Sequence, residues 1–125
     1  MILDTNALSA WAEGEPQIRP QLASAPKLVL PVVVLGEYLF GVSQSRHRQR
    51  YADWLAQNLP AVEMAAITAE TAHAYAEIRL RLKQNATPIP ANDAWVAALA
   101  RQHVLPVLSN DTHFDLVAGI QRIGF

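Results

Sequence analysis

Residues 1–11, MILDTNALSAW, place a charged side chain at the first point where the chain leaves its apolar core. The apolar run within residues 1–4 fits a short buried strand, and it ends on Asp4. From Asn6 onward the pattern is helical, and Gly14 stands where a helix would end. This stretch therefore predicts a strand that passes directly into a helix, with a carboxylate at the junction.

The same alternation of strand and helix continues along the chain. Further apolar runs predict strands at 28–31, 62–67 and 104–110, with a possible edge strand near 120–123. Helical spacing of apolar residues predicts the helices between them at 32–44, 46–59, 68–85 (capped by Thr68) and 92–103. Short apolar strands that alternate with helices indicate an α/β fold, in which helices cover both faces of a parallel sheet.

The composition fits a single domain spanning residues 1–125, with 51% hydrophobic and 17% charged residues. Ten basic and 11 acidic residues give a net charge of -1, so any binding of nucleic acid would depend on where the charges lie. The absence of cysteine excludes disulfides and thiolate metal sites. Without an apolar stretch of about 18 residues or a signal-peptide pattern, we expect a cytoplasmic protein with no membrane span.

Two acidic residues lie at the carboxyl ends of predicted strands, which is where parallel sheets gather their ligands. Asp4 follows the first strand, and Asp111 follows the strand at 104–110. Each also has a simpler interpretation, since Asp4 could cap the next helix and Asp111 could nucleate a turn. Position alone does not decide between these interpretations.

Three more acidic residues lie on or near helices. Asp93 falls in the first turn of its helix, where a negative charge suits the helix dipole and where the neighbouring Asn92 could act as the cap. Glu37 sits within an apolar helix, where a lone buried carboxylate would cost several kcal/mol, unless it faces a narrow solvent-exposed stripe. Asp115 could be a surface acid.

If the sheet brings these acidic residues together, their mutual repulsion requires a cation. A ligand set of oxygen atoms, without paired histidine or cysteine, favours Mg²⁺ or Mn²⁺. Such a site suits hydrolysis of a phosphodiester, because the metal activates a water and stabilises charge on the phosphate.

Four segments of the sequence, in this order, resemble the PIN-domain ribonucleases, specifically the VapC-type toxins of type II toxin–antitoxin pairs. The matching segments are MILDTNALS, VVLGEYLFG, PANDAWVAALA and PVLSNDTHFDLVAGI. The resemblance implies a three-layer α/β/α sandwich around a short parallel sheet. It also implies Mg²⁺-dependent endonucleolytic cleavage of RNA, often tRNA or rRNA, by metal-activated water, together with a cognate antitoxin and a homodimer.

The resemblance assigns roles to individual residues. Asp4, Glu37, Asp93 and Asp111 would be the catalytic acids. Asp4 and Asp93 would bind the metal directly, and Glu37 and Asp111 are further possible ligands. The supporting residues would be Thr5, Asn6, Ser109 and Asp115. Asn110 departs from the family, which often has a basic residue at this place, and this could alter how the phosphate is held.

A basic run offers a candidate contact for RNA. Arg46, Arg48 and Arg50 could line the acidic groove and hold phosphates, although a solvated helix start is the more common use of such a run. The four histidines show no metal-binding spacing, and only His113, near Asp111, calls for attention.

Two other functions are open to this pattern of residues. A non-catalytic PIN-like module could bind RNA or a protein, although the intact acidic quartet argues against it. Other α/β phosphoryl-transfer enzymes also place an Asp after the first strand, but haloacid-dehalogenase-type phosphatases need a second Asp where this chain has Asn6. Receiver domains need a Lys after a late strand, where this chain has Ser109 and Asn110.

Overall fold

The computed structural model describes all residues from 1 to 125 and contains a five-stranded parallel sheet. The strands are β1 (Ile2–Leu3), β2 (Val29–Pro31), β3 (Glu63–Ala65), β4 (Val107–Leu108) and β5 (Arg122–Ile123). Their order across the sheet is β3-β2-β1-β4-β5. The chain therefore builds outward in one direction from β1 to β3 and then returns to place β4 on the other side of β1.

Six α-helices connect and cover the strands. They are α1 (Thr5–Ala12), α2 (Arg19–Ser24), α3 (Val32–Ser43), α4 (Arg48–Asn58), α5 (Ala69–Gln84) and α6 (Ala91–His103). Short 3₁₀ turns complete the chain at Pro16–Ile18, Leu59–Ala61 and Thr112–Leu116. The predicted three-layer α/β/α architecture is confirmed. None of the helices combines the length and the apolar character needed to cross a membrane.

The core explains why such short strands are stable. Ile2, Leu3, Leu30 and Leu108 are fully buried, so the central strands are covered on both faces as their unbroken apolar runs predict. In α6 a continuous run from Val96 to Ala100 is also buried, because this helix packs between the sheet and α5. The sheet therefore provides a rigid edge for the residues that follow β1 and β4.

Two helix starts differ from the sequence-based expectation. The N-cap residue of α6 is Pro90 rather than Asn92, because the extended backbone of Pro90 already sets the start of the helix one residue before Ala91. Helix α4 begins at Arg48, so Arg46 precedes it in the connecting turn. The predicted cap of α5 is confirmed, since the Thr68 side chain accepts a hydrogen bond from the backbone N–H of Thr71.

Candidate active site

The point where the sheet changes direction lies between β1 and β4, and Asp4 stands at this point. In open α/β sheets, ligands bind beyond the strand ends at such a place. Asp4 occupies the N-cap position of α1, yet its side chain makes no capping hydrogen bond. Instead, its Oδ2 accepts hydrogen bonds from Ser109 Oγ at 2.7 Å and from Asn6 Nδ2 at 3.2 Å. The carboxylate is thus held by the neighbouring strand end rather than by its own helix.

Ser109 is the residue that joins the two strand ends. Its fully buried hydroxyl donates to Asp4 and accepts from Asn6 Nδ2 at 3.0 Å and from the backbone N–H of Asp111 at 2.9 Å. Asn6 completes the connection, because its Oδ1 accepts from the backbone N–H of Asn110 at 3.1 Å. The predicted supporting residues Asn6 and Ser109 therefore lie in direct contact with the first acid.

A second group forms where α6 begins and where the chain turns after β4. His113 Nδ1 lies 3.0 Å from Asp93 Oδ2 and 3.0 Å from Asp111 Oδ1. Asp111 also caps the Thr112–Leu116 turn, since Oδ1 accepts from the backbone N–H of His113 at 2.9 Å. One ligand atom from each of these three residues falls within 4.8 Å of the others. This geometry could hold a metal ion.

The pKa values connect the two groups electrostatically. Burial raises the pKa of Asp4, and the hydrogen bond from Ser109 opposes this rise. Burial likewise raises the pKa of Asp93 to about 6, opposed by the hydrogen bond with His113 and increased by the charges of Asp111 and Asp4. The hydrogen bond with Asp93 in turn raises the pKa of His113. The carboxylates are therefore close enough to repel one another.

Glu37 approaches the same place from α3. The residue is exposed, so of the two interpretations of the sequence, the solvent-facing stripe is correct and a buried lone carboxylate is not. Partial desolvation and the charge of Asp4 raise its pKa, while the Asn92 side chain lowers it. Asn92, which does not cap α6, thus faces the acidic group instead.

A PIN-domain family model matches residues 1–120 of the chain. The chain belongs to the PIN-domain family. Ribonuclease VapC5 of Mycobacterium tuberculosis is 28% identical over 124 residues, which cover 98% of this chain and 90% of that protein.

Solved structures also resemble this PIN domain. VapBC2 from Rickettsia felis, bound to a DNA fragment from its promoter, superposes with a TM-score of 0.90 at 22% identity and covers 99% of this chain and 97% of that one. FitAcB from Neisseria gonorrhoeae gives a TM-score of 0.84 at 26% identity, with coverages of 98% and 95%. The resemblance to VapC-type PIN proteins that the four sequence segments indicate is confirmed.

Two predicted site residues of the PIN domain take different positions. Thr5 contributes a buried hydroxyl that has no hydrogen-bond partner in the protein. Asp115 is exposed and pairs with Arg122 through two bonds of 2.9 Å, from Nε and from one terminal nitrogen. This ion pair lowers the pKa of Asp115. Its carboxylate is thus engaged with Arg122, and an assisting role for Asp115 stays a prediction.

The basic run lies beside α1. All three arginines, Arg46, Arg48 and Arg50, are exposed. An Arg50 terminal nitrogen lies 3.3 Å from the Tyr51 hydroxyl and 3.9 Å from Glu13 Oε2. Their contact with RNA stays a prediction.

Sequence reasoning gave His113 too little weight. The search for paired histidines at metal-binding spacing misses a single histidine that joins two acids. A local signal was present, because an Asp followed two residues later by His, directly after a strand, places both residues in one capped turn. The donor set beside Asp93 consequently includes a nitrogen as well as oxygens.

Proposed function

We propose that this PIN domain is a Mg²⁺-dependent endoribonuclease that acts as the toxin of a toxin–antitoxin pair. The observation that carries the proposal is the convergence of four carboxylates, Asp4, Glu37, Asp93 and Asp111, at the sheet's change of direction, with three of their pKa values raised. The name of the relative Ribonuclease VapC5 supports RNA as the substrate, and the resemblance to VapC-type toxins favours tRNA or rRNA.

The residues fit a hard divalent cation. Carboxylates that raise one another's pKa carry excess negative charge, and in this cluster only His113 contacts them as a potential cation. Asp4 and Asp93 would bind the ion directly, with Glu37 and Asp111 as additional ligands. When bound, Mg²⁺ or Mn²⁺ supplies the positive charge that favours deprotonation of water and offsets charge on the phosphate.

The chain's own residues prepare this chemistry. Ser109 and Asn6 fix the Asp4 carboxylate in one orientation, which removes a reorganisation cost during the reaction. Glu37 is the carboxylate most open to solvent, and its raised pKa suits it to accept a proton from the attacking water.

The proposed assembly includes a cognate antitoxin and a homodimer. Helix α3 exposes large apolar side chains at Val32, Leu39 and Phe40, which are 45%, 47% and 61% exposed. Apolar side chains of this size on one helix are suited to a protein interface. Light scattering of the purified protein tests the dimer.

The decisive experiment compares wild type with Asp4→Asn. Purified, antitoxin-free wild type should cut RNA with Mg²⁺ or Mn²⁺ and not in chelator. Asp4→Asn should keep its melting temperature, because an uncharged amide suits a buried position, and lose about 10³-fold or more in rate.

The matched control is Asp53→Asn, which alters an exposed acid on α4 and should cut normally. Mapping of 5′ ends of cellular RNA after induction should locate cuts in tRNA or rRNA. The proposal fails if wild type cuts no RNA with either ion and is as harmless on expression as Asp4→Asn. That outcome would favour a non-catalytic PIN-like binding module.

A further inference from the structure

A cavity of about 180 Å³ opens beside the acidic group, between α1, α3 and α4. Thr5 and Glu37 form the wall that it shares with the candidate active site, and Glu13, Tyr38 and Tyr51 line its far side. A molecule bound at the acids could therefore extend directly into this cavity.

Two hydroxyl groups on the cavity wall are buried and lack partners. Tyr38 is only 6% exposed, and its hydroxyl has no hydrogen-bond partner, as is also true of Thr5 Oγ1. Leaving a buried polar group unpaired costs free energy, so such groups are rare in folded proteins. The Tyr38 ring itself is well supported, since it packs 6.5 Å from the ring of Trp54. Two fixed hydroxyls are thus available to a ligand.

The charge of the cavity limits the chemistry of that ligand. The Tyr51 hydroxyl donates to the Glu13 carboxylate, and the charge of Glu13 contributes to the raised pKa of Tyr38, after burial and the effect of Tyr51. The lining residues include two glutamates and no lysine or arginine. A phosphate would be repelled, whereas a group that donates hydrogen bonds would be attracted.

The surroundings favour a nucleobase over an isolated polar group. Ala12, Gly41 and Val42 give the cavity an apolar surface on which a planar ring can lie. Arg50 is 66% exposed and touches Tyr51 at the rim, where it can meet the phosphate of the next nucleotide. Acids for the scissile phosphate, a cavity for a base and a basic rim thus follow one another along the surface.

Resting on the proposed ribonuclease activity, we propose that this cavity binds a guanine base adjacent to the scissile phosphate. Guanine presents two neighbouring donors on its Watson–Crick edge, N1–H and the N2 amino group, which pair with one carboxylate. Uracil offers a single N–H, and adenine and cytosine each place an acceptor beside their amino group. Glu13 and the hydroxyls of Tyr38 and Thr5 therefore select guanine among the four bases.

Binding of labelled hexaribonucleotides in chelator tests the proposal without requiring cleavage. We expect UUUGUU to bind about tenfold more tightly than UUUUUU by fluorescence anisotropy, since a tenfold change corresponds to one or two net hydrogen bonds. Tyr38→Phe removes one hydroxyl and Glu13→Gln removes one charge, and each should reduce the preference to about twofold. Cut-site mapping should show guanine beside the cut in wild type and a weaker bias in both variants.

The controls remove the same groups elsewhere. Tyr75→Phe and Glu63→Gln alter a tyrosine that bonds to Arg79 and a glutamate that pairs with Lys27, and both should keep the preference. Equal affinity for the two hexamers, including no binding of either, overturns the proposal, whatever the cleavage assay with Mg²⁺ shows. Competition by N-acetyl-arginine amide stronger than that by guanosine monophosphate also overturns it, because the cavity would then suit a protein side chain.

Discussion

The candidate site has two parts that are built differently. In the inner part, Asp4 is buried and held by the side chains of Ser109 and Asn6. In the outer part, Asp93 and Asp111 meet at His113, and their side chains are 15%, 30% and 45% exposed, respectively. Hydrogen bonds fix the inner part, whereas a balance of charges holds the outer part together. The inner part is therefore the preorganised one, and the outer part is the one that pH and ions can adjust.

This difference follows from the sheet. Strands β1 and β4 are adjacent and parallel, so the residues after them meet at the same edge with little freedom. Asp93 reaches that edge from the first turn of α6, and His113 from a 3₁₀ turn, which are separate elements. Changes in the inner part should consequently affect the fold, and changes in the outer part should affect mainly ionisation.

The largest expected effect comes from Ser109→Ala in the inner part. The substitution leaves Asp4, Asn6 and the backbone N–H of Asp111 without their shared partner. We expect a loss of about 2 kcal/mol in the free energy of unfolding, measured by urea denaturation. Cleavage should fall with it, because the orientation of Asp4 is no longer fixed.

Ser24→Ala is the matched control, since the Ser24 hydroxyl is exposed and bonds only to a nearby backbone carbonyl. This variant should unfold within about 0.5 kcal/mol of wild type. If Ser109→Ala were equally neutral, the inner part would not depend on its buried hydroxyl, and the contrast between the two parts would be lost.

A smaller effect is expected from pH in the absence of divalent ions. Asp93 has a pKa of about 6 in the folded protein and about 4 when unfolded, so the folded state binds more protons between these values. Stability should therefore fall as pH rises through this window. His113 acts in the same direction, because its raised pKa makes its stabilising charge disappear as pH rises through the folded value.

Differential scanning calorimetry checks this expectation. The metal-free protein should melt on the order of 5 °C lower at pH 7 than at pH 5, and Mg²⁺ should recover part of the loss at pH 7. Asp93→Asn removes the titrating carboxylate and should flatten the profile. A melting temperature that rises from pH 5 to pH 7 in wild type would show that the carboxylates do not repel one another as described.

Much of the fold could be predicted because its signals are local. The apolar runs that become β1, β2 and β4 are short and unbroken, and Gly14 adopts a positive φ of 69° where the first helix was expected to end. The meeting of Asp4 with Asp111 also followed from a general rule, since both stand after parallel strands.

The remaining features depend on neighbours that sequence periodicity does not identify. Helix α3 is apolar around much of its surface, so the pattern could not decide which side Glu37 faces. Asn92 and Pro90 both suit a helix start, and the choice depends on how α6 enters the site. The contact of His113 with Asp93 joins residues 20 positions apart, which no local motif reveals.

The smallest expected effect comes from His113→Ala in the outer part. The His113 side chain is 45% exposed and packs little, so the free energy of unfolding at pH 7 should change by no more than about 0.5 kcal/mol. The pKa of Asp93 should rise further, because the variant removes both the hydrogen bond and the positive charge that lower it. NMR titration of the Asp93 carboxyl carbon measures this shift. His103→Ala, at the exposed end of α6, should leave the pKa of Asp93 unchanged. An unchanged pKa in His113→Ala, or a loss of stability as large as that of Ser109→Ala, would mean that the imidazole is a structural support and that the two parts are built alike.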